Sequence, residues 1–186
     1  MTLRLSLGCF VVAALAACGG GGGSSSAFDG IYTLDSWTQN QTSCDTPGGP
    51  APFGSDNTHF FVRRDEFFGE TVVNAIMCED LETCRQKGND RETIYIGQFY
   101  FEDGNDTDGW TANISYLFPP DCDGTVGRVK LTGTPGTSVT IRKEEVTVTG
   151  VGMDGEDCDE QAAEEQAADK PCESLELVEG TFLEAL

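Results

Sequence analysis

Residues 110–118 read WTANISYLF, with apolar or aromatic side chains at every even position. Polar side chains fill three of the four odd positions between them. An alternation with a period of two is typical of a β-strand that is buried on one face. The pair Asp108 and Gly109 precedes the stretch and the pair Asp123 and Gly124 follows it, and both pairs favour turns. We therefore predict antiparallel hairpins around a strand at 110–118.

Similar patterns recur on both sides of this strand. They are rich in aromatic and β-branched residues, which are common in strands, and a further turn is predicted at Pro135 and Gly136. The other predicted strands are 31–38, 59–63, 71–77, 93–101, 129–131, 139–141 and 146–148. Eight or nine short strands, interrupted by two short helices at 79–86 and 159–168, predict an all-β domain that is an antiparallel barrel or a sandwich.

The first predicted strand opens with Phe28, Asp29, Gly30, Ile31 and Tyr32. This opening resembles the start of lipocalin-like barrels, in which a glycine and an aromatic residue two positions later begin the first strand and close the barrel floor. Tyr32 stands where tryptophan is usual in that family. The resemblance implies a lipocalin-like barrel with an apolar cavity for a small hydrophobic ligand.

The amino-terminal segment has the parts of a secretory signal. Arg4 supplies a basic start, an apolar run covers residues 5–15, and two alanines precede the expected cleavage site. The apolar run is shorter than the roughly 20 residues that a membrane-spanning helix requires. We therefore predict that residues 1–17 are a signal peptide that is removed.

The run Leu15, Ala16, Ala17, Cys18 and Gly19 resembles the lipobox of bacterial lipoproteins. In that family the cysteine thiol takes a diacylglyceryl group, and its new amino end is then usually acylated with a fatty acid such as palmitate. An Asp directly after the cysteine often means retention in the inner membrane, and Gly19 occupies that place here. The resemblance implies a protein of the bacterial cell envelope, lipid-anchored through Cys18 to the outer membrane, on its periplasmic or surface face.

Residues 19–26 are five glycines followed by three serines, a composition typical of a flexible tether. Its typical end-to-end distance is roughly 15 to 17 Å. Cys18 and the tether form the segment 18–26. The remaining residues, 27–186, are predicted to form a single β-rich domain, because no internal repeat or second linker divides them.

The chain is strongly acidic. Its 32 Asp and Glu residues and 11 Lys and Arg residues give a formal charge of −21. Removal of residues 1–17 takes away one basic and no acidic residue, so the mature charge is 10 − 32 = −22. Such a surface repels the phosphates of nucleic acids, and we expect no nucleic-acid partner.

Six cysteines remain after Cys9 is assigned to the signal peptide and Cys18 to the lipid. They are Cys44, Cys78, Cys84, Cys122, Cys158 and Cys172. Exported chains meet an oxidising compartment, so we expect three disulfides. We predict the pairs Cys78–Cys84, Cys158–Cys172 and Cys44–Cys122, because the first two close short local loops. A zinc site is the alternative, but the chain has one histidine and no CxxC pair.

The acidic loop at 103–109 suggests a calcium site, because oxygen side chains at alternating positions can wrap a hard cation. The candidate ligands are Asp103, Asn105, Thr107 and Asp108. The loop departs from the EF-hand template, since Asp108 occupies the place of the required glycine and Ile114 that of the bidentate glutamate. The alternative is an acidic hairpin loop without a metal ion.

No catalytic constellation is visible in the sequence. His59 is the only histidine, it precedes two phenylalanines, and no serine stands in a GxSxG motif. We expect a protein that is not an enzyme and needs no cofactor. Two functions remain: an envelope lipoprotein that binds a small apolar molecule inside its barrel, or one that contacts another envelope protein or calcium through its acidic loops.

Overall fold

The computed structural model describes residues 26–52, 56–67, 69–93, 95, 97, 99–154 and 157–186. The predicted signal peptide, Cys18 and all of the predicted tether except Ser26 lie outside these residues. Within the described ranges, no helix combines the length and the apolar character that crossing a bilayer requires.

The described chain is mostly β-strand, and nearly all of its strands belong to one antiparallel sheet. The strands of this sheet are β1 (Gly30–Asn40), β2 (Gly49–Pro50), β3 (His59–Phe67), β4 (Glu70–Cys78), β5 (Phe99–Phe101), β6 (Asp103–Asn105), β7 (Gly109–Phe118), β8 (Asp123–Thr134), β9 (Ser138–Val148) and β12 (Ser174–Glu184). A separate ribbon pairs β10 (Met153–Asp154) with β11 (Asp157–Cys158). Helix α1 spans Leu81–Asn89 and helix α2 spans Glu160–Ala168.

The long strands pair in chain order, and the last pairs with the first. Tyr32 of β1 lies opposite Phe60 of β3 on one side and opposite Phe182 of β12 on the other. The sheet therefore forms a nearly closed, up-and-down barrel. The predicted all-β barrel with two short helices is confirmed, and the alternative sandwich does not form.

One segment, residues 99–105, brings the two ends of the sheet together. Its first part, β5, pairs with β4, and Phe101 lies opposite Val73. Its second part, β6, pairs with β7. Between the two parts, the N–H of Glu102 donates to the carbonyl oxygen of Thr111 at 3.0 Å. The same short stretch thus serves both neighbouring strands.

A buried arginine holds the chain that precedes β5. Arg63 is fully buried, and its guanidinium donates to the carbonyl oxygens of Lys87, Asp90 and Thr93. The first two carbonyls lie at the end of α1, where helix carbonyls lack helical partners. The strand predicted at 93–101 is wrong in its first part as far as the structure describes it, because residues 93, 95 and 97 lie outside any strand and the Thr93 carbonyl binds Arg63.

Apolar side chains pack the barrel interior and come from every long strand. Each is at most 7 % exposed, and burial of each large one stabilises the fold by roughly 1.5 to 3 kcal/mol. They include Tyr32, Trp37, Phe60, Val62, Val73, Phe99, Phe101, Trp110, Val129, Leu131, Ile141 and Val178. Gly180 makes room for one of them, since a Cβ at this position would collide with the Phe60 ring.

Strand β9 changes its buried face part-way along. Val139 and Ile141 pack inside the barrel, whereas Val146 and Val148 pack outside it, under α2. Side chains alternate between the two faces of a strand, so the change needs no break in pairing with β8. The outer wall under α2 thereby acquires an apolar cluster of its own.

The two ends of the barrel differ. Where β1 begins, residues 26–29 pack into the opening, and the Tyr32 hydroxyl donates to the carbonyl oxygen of Phe28 at 2.8 Å. Asp106 holds this segment by accepting hydrogen bonds from its first two residues and from Trp110 Nε1. We call this the closed end, and the opposite one, where β1 ends, the mouth.

Both predicted helices are confirmed, with shifted starts. The Asp80 side chain caps α1 by accepting from the N–H of Thr83, and the Asp159 side chain caps α2 by accepting from the N–H of Ala162. Such caps satisfy amide groups that have no partner within the helix. Helix α1 also extends three residues past the predicted end at 86.

Three disulfides join the six predicted cysteines. Two of them lie toward the mouth, and the third, Cys78–Cys84, packs against Ile31 near the start of β1. The pairs are Cys78–Cys84, Cys44–Cys172 and Cys122–Cys158. The predicted pair Cys78–Cys84 is confirmed. The predicted pairs Cys158–Cys172 and Cys44–Cys122 are wrong.

Barrel closure and the packing of α2 explain why these two cysteine pairs differ from the predicted ones. Strand β12 pairs with β1, so Cys172, just before β12, lies beside the loop after β1 that carries Cys44. Helix α2 packs against β7, β8 and β9, which brings Cys158, just before α2, to Cys122 in the turn between β7 and β8. Short sequence separation was therefore a poor guide to these two bridges.

The disulfides offer a test of this pairing. Cys44–Cys172 closes a loop of 128 residues and Cys78–Cys84 one of 6. The chain-entropy relation gives about 5 kcal/mol of stabilisation for the first and about 2 kcal/mol for the second. Urea unfolding of the C44A/C172A and C78A/C84A double variants should show the larger loss in the first. Equal losses would contradict the pairing.

Candidate functional site

The inner wall of the barrel changes from apolar to polar near the mouth. On β9, Lys143 and Glu145 follow Ile141 on the inward face, because side chains two residues apart share a face. On β12, Glu176 lies opposite Lys143 and Ser174 lies opposite Glu145. Charged groups thus continue the surface that apolar groups line deeper in the barrel.

These side chains form one connected network. Lys143 Nζ lies 2.7 Å from Glu145 Oε1 and 3.8 Å from Glu176 Oε2. Trp37 Nε1 donates to Glu176 Oε1 at 2.7 Å, and Ser174 Oγ donates to Glu145 Oε2 at 2.9 Å. We call these five residues the mouth network. With two carboxylates and one ammonium group, its net charge is −1 when all three groups are ionised.

The network is largely removed from water. The side chains of Lys143 and Glu176 are 12 % and 11 % exposed, and Trp37 is 7 % exposed. Gly127 makes room for the lysine, since a Cβ there would lie 3.0 Å from its Cε. At the rim, the Tyr116 ring lies with its centroid 5.6 Å from Lys143 Nζ. A charge imbalance in such surroundings costs more than it would in water.

Burial and pairing shift the two carboxyl groups in opposite directions. Burial raises the pKa of Glu176, and the hydrogen bond from Trp37 and the charge of Lys143 only partly offset it. Burial also acts to raise the pKa of Glu145, but the hydrogen bond and charge of Lys143, with the bond from Ser174, bring it below its ordinary value. Lys143 therefore pairs chiefly with Glu145, and the negative charge that lacks a matching cation is that of Glu176.

Lys143 is held in its charged form. Burial acts to lower its pKa, but the hydrogen bond and charge of Glu145 and the charge of Glu176 outweigh this effect, and the pKa is raised. The lysine cannot then serve as a neutral base near pH 7. The network is suited to binding charge rather than to transferring a proton.

A cavity of about 270 Å³ lies against the network at the mouth. Polar side chains dominate its lining, and they include Gln39, Thr125, Glu145, Thr147, Glu173 and Ser174. Pockets for drug-sized ligands usually measure about 300 to 1,000 Å³, so this cavity suits a smaller molecule.

The chain around the cavity is fixed by covalent and hydrogen bonds. Cys44–Cys172 anchors the start of β12, two residues before Ser174. The N–H of Glu173 donates to the carbonyl oxygen of Glu145 at 2.9 Å, and its carboxylate accepts from the Thr147 hydroxyl. A rim held in this way keeps binding groups in place and lowers the entropy lost when a ligand binds.

The predicted calcium ligands lie at the other end of the barrel. Asn105 Oδ1 accepts from the N–H groups of Thr107 and Asp108, and its Nδ2 donates to Asp108. The loop thus folds around its own hydrogen bonds, while Asp103 lies in β6. In the part of the chain that the structure describes, no three His, Cys, Asp or Glu side chains converge as a metal site would require. Calcium binding by this loop stays a prediction.

A second perturbed carboxyl also lies at the closed end. Burial raises the pKa of Asp29 to about 6, against the hydrogen bond from the N–H of Arg64, which is 3.0 Å from Asp29 Oδ1. The Arg64 guanidinium in turn stacks 4.8 Å from the Trp110 ring centroid. These contacts tie the first described residues to β3, and we assign Asp29 a structural role.

The mouth network was not predicted from the sequence. Residues 139–141 and 146–148 were predicted as two separate strands, so Lys143 lay between them. In the structure one strand covers the whole stretch. The signal that could have located the site is the continuation of the inward series 139, 141, 143, 145, which places two charges inside.

No family model, curated protein or solved structure matches the chain.

Removing the unmatched charge should stabilise the protein. Folding raises the pKa of Glu176, so the folded protein favours the protonated side chain. The resulting contribution to the free energy of unfolding is fully present below the unfolded pKa and is lost as the pH rises through the folded pKa. E176Q keeps an acceptor for Trp37 and should unfold with about 1 kcal/mol more free energy than the wild type at pH 7. The difference should shrink toward pH 4.

Chemical denaturation at both pH values measures this difference. E179Q is the matched control, since Glu179 lies on the same strand but is exposed. A destabilised E176Q at pH 7, or an equal gain in E179Q, would contradict the assignment of unmatched charge to Glu176.

Proposed function

We propose that this chain is a lipid-anchored protein of the bacterial cell envelope that binds a small, positively charged molecule at the mouth of its barrel. The observation that carries the proposal is the mouth network, in which Lys143 offsets only one of the carboxylates of Glu145 and Glu176. A ligand with a single ammonium group would bring the network to neutrality.

The surroundings favour an amine over a bare metal ion. A hard cation needs six or more oxygen ligands, whereas an ammonium group needs three acceptors and tolerates apolar contacts on its carbon chain. Glu145, Thr125 and Ser174 line the cavity and offer oxygen acceptors, and Val146 lines it as well. Acceptors for the amine and an apolar contact for its carbon chain thus lie in the same cavity.

The packed interior argues against a large apolar ligand deep in the barrel. The inward side chains of the closed half, such as Phe60 and Leu131, are fully buried against one another. The apolar ligand implied by the lipocalin-like opening stays a prediction. The small size and polar lining of the cavity support a compact polar ligand instead.

The position of the first described residues suits the proposed anchor. Ser26 lies at the closed end, where its hydroxyl donates to Asp106 at 2.6 Å. A tether from a lipidated Cys18 would therefore reach the barrel at the end opposite the mouth. The mouth would face away from the membrane, toward soluble ligands.

The alternative role in protein interaction stays a prediction. The observation that bears on it is the rim of the mouth, where Phe118 is 70 % and Tyr116 is 47 % exposed. Two exposed aromatic side chains at the rim would suit contact with a second protein.

Three compounds of matched length test the proposal: butylamine, butanol and butyrate. The chain has two tryptophans, and Trp37 donates directly to the mouth network, so its fluorescence reports on the site. We expect saturable changes with butylamine up to about 10 mM and none with the other two compounds. Isothermal titration calorimetry gives an independent affinity.

Variants of the site separate specific binding from general attraction to an acidic protein. E145Q and E176Q should each weaken butylamine binding at least tenfold, whereas E179Q should leave it within twofold. The same response to all three compounds, no response to butylamine, or equal loss in E179Q would overturn the proposal.

A further inference from the structure

Basic side chains gather on one part of the outer wall of this acidic protein. Arg128 and Lys130 of β8 and Arg142 of β9 project outward, since their neighbours Val129 and Ile141 pack inside. They are three of the 11 basic residues in a chain with 32 acidic ones. We call these three residues the basic patch.

The pairing within the patch is unfavourable in the absence of a ligand. Lys130 lies directly opposite Arg142, and like charges in that relation destabilise a sheet. No ion pair joins Lys130 to any residue that the structure describes.

One carboxylate offsets part of the charge. Glu144 lies between two guanidinium groups, 3.2 Å from Arg128 Nη2 and 2.8 Å from Arg142 Nε. With Asp103 at the edge, the site keeps a net charge of +1. In addition, Arg128 Nε is shielded from solvent and donates to no acceptor among the described residues.

A cavity of about 500 Å³ lies over the patch. Hydrogen-bonding groups of Thr111 and Asn113 line it beside the three basic residues. Guanidinium groups match the geometry of phosphate oxygens, and charge-assisted hydrogen bonds to them are among the stronger ones in proteins.

We propose that the basic patch binds the phosphate group of a small ester or of a lipid headgroup. A phosphate placed between Lys130 and Arg142 would remove their repulsion and supply acceptors for the patch. This site lies on the outer wall and is separate from the mouth network, so it does not depend on the proposed binding of amines.

The test begins with inorganic phosphate at low ionic strength. We expect saturable shifts of the amide resonances of Thr111 and Asn113 in 15N NMR spectra, with chloride at equal ionic strength as the reference. K130Q/R142Q should weaken phosphate binding at least tenfold. K87Q/R91Q removes the same charge elsewhere and should change the affinity less than twofold.

Thermal unfolding without phosphate separates a binding role from a structural one. Because K130Q removes one of two opposed like charges, its Tm should equal or exceed that of the wild type. A marked fall in Tm for K130Q would show that Lys130 holds the fold together, and would overturn the proposal.

Vesicles identify the source of the phosphate. Co-sedimentation compares phosphatidylcholine vesicles with and without phosphatidic acid. Binding only to the vesicles that contain phosphatidic acid, lost in K130Q/R142Q, supports a lipid headgroup, whereas NMR shifts without co-sedimentation support a soluble phosphate ester. Absence of both, or equal weakening in the two double variants, overturns the proposal.

Discussion

Strands β8 and β9 bury apolar side chains inside the barrel in one half and outside it in the other. Helix α2 requires this change, because Val146 and Val148 pack beneath it. Since faces alternate along a strand, their burial outside forces residues 143 and 145 inward. The polar mouth is therefore a direct consequence of covering the outer wall with a helix. Along β8 and β9, the inward apolar residues end where the outward residues begin to pack under α2. Charged groups occupy the inward positions of β9 from there to the mouth.

The same alternation separates charge across the wall of the barrel. Along β9, Arg142 and Glu144 form an ion pair outside, and Lys143 and Glu145 form one inside. Additional basic residues lie on the outer side and the additional carboxylate, Glu176, lies on the inner side. Two of the three disulfides, Cys44–Cys172 and Cys122–Cys158, brace the mouth end.

Much of the fold could be predicted from sequence. Period-two alternation located most of the strands, and an even cysteine count in a chain with a predicted export signal indicated three disulfides. The pairing of β1 with β12 could not be predicted, because it joins residues almost a whole domain apart, and two disulfide partners depend on it. The mouth network was not predicted because apolar alternation detects a strand only where its buried residues are apolar. Lys143 is a charged residue on the inward face and therefore interrupts that pattern. Similarly, the described residues 93, 95 and 97 of the strand predicted at 93–101 lie outside any strand, and Arg63 binds the Thr93 carbonyl.

The pKa of Glu176 tests this account most directly. A carboxylate that lacks a matching cation in a largely buried mouth must titrate above the ordinary glutamate value of about 4.3. Side-chain 13C NMR, with assignments from E176Q and E145Q, gives the pKa of both carboxyl groups in the intact protein. We expect the pKa of Glu176 to lie above that value and the pKa of Glu145 to lie below it. If both groups titrate at the ordinary value, the mouth is open to water and holds no unmatched charge.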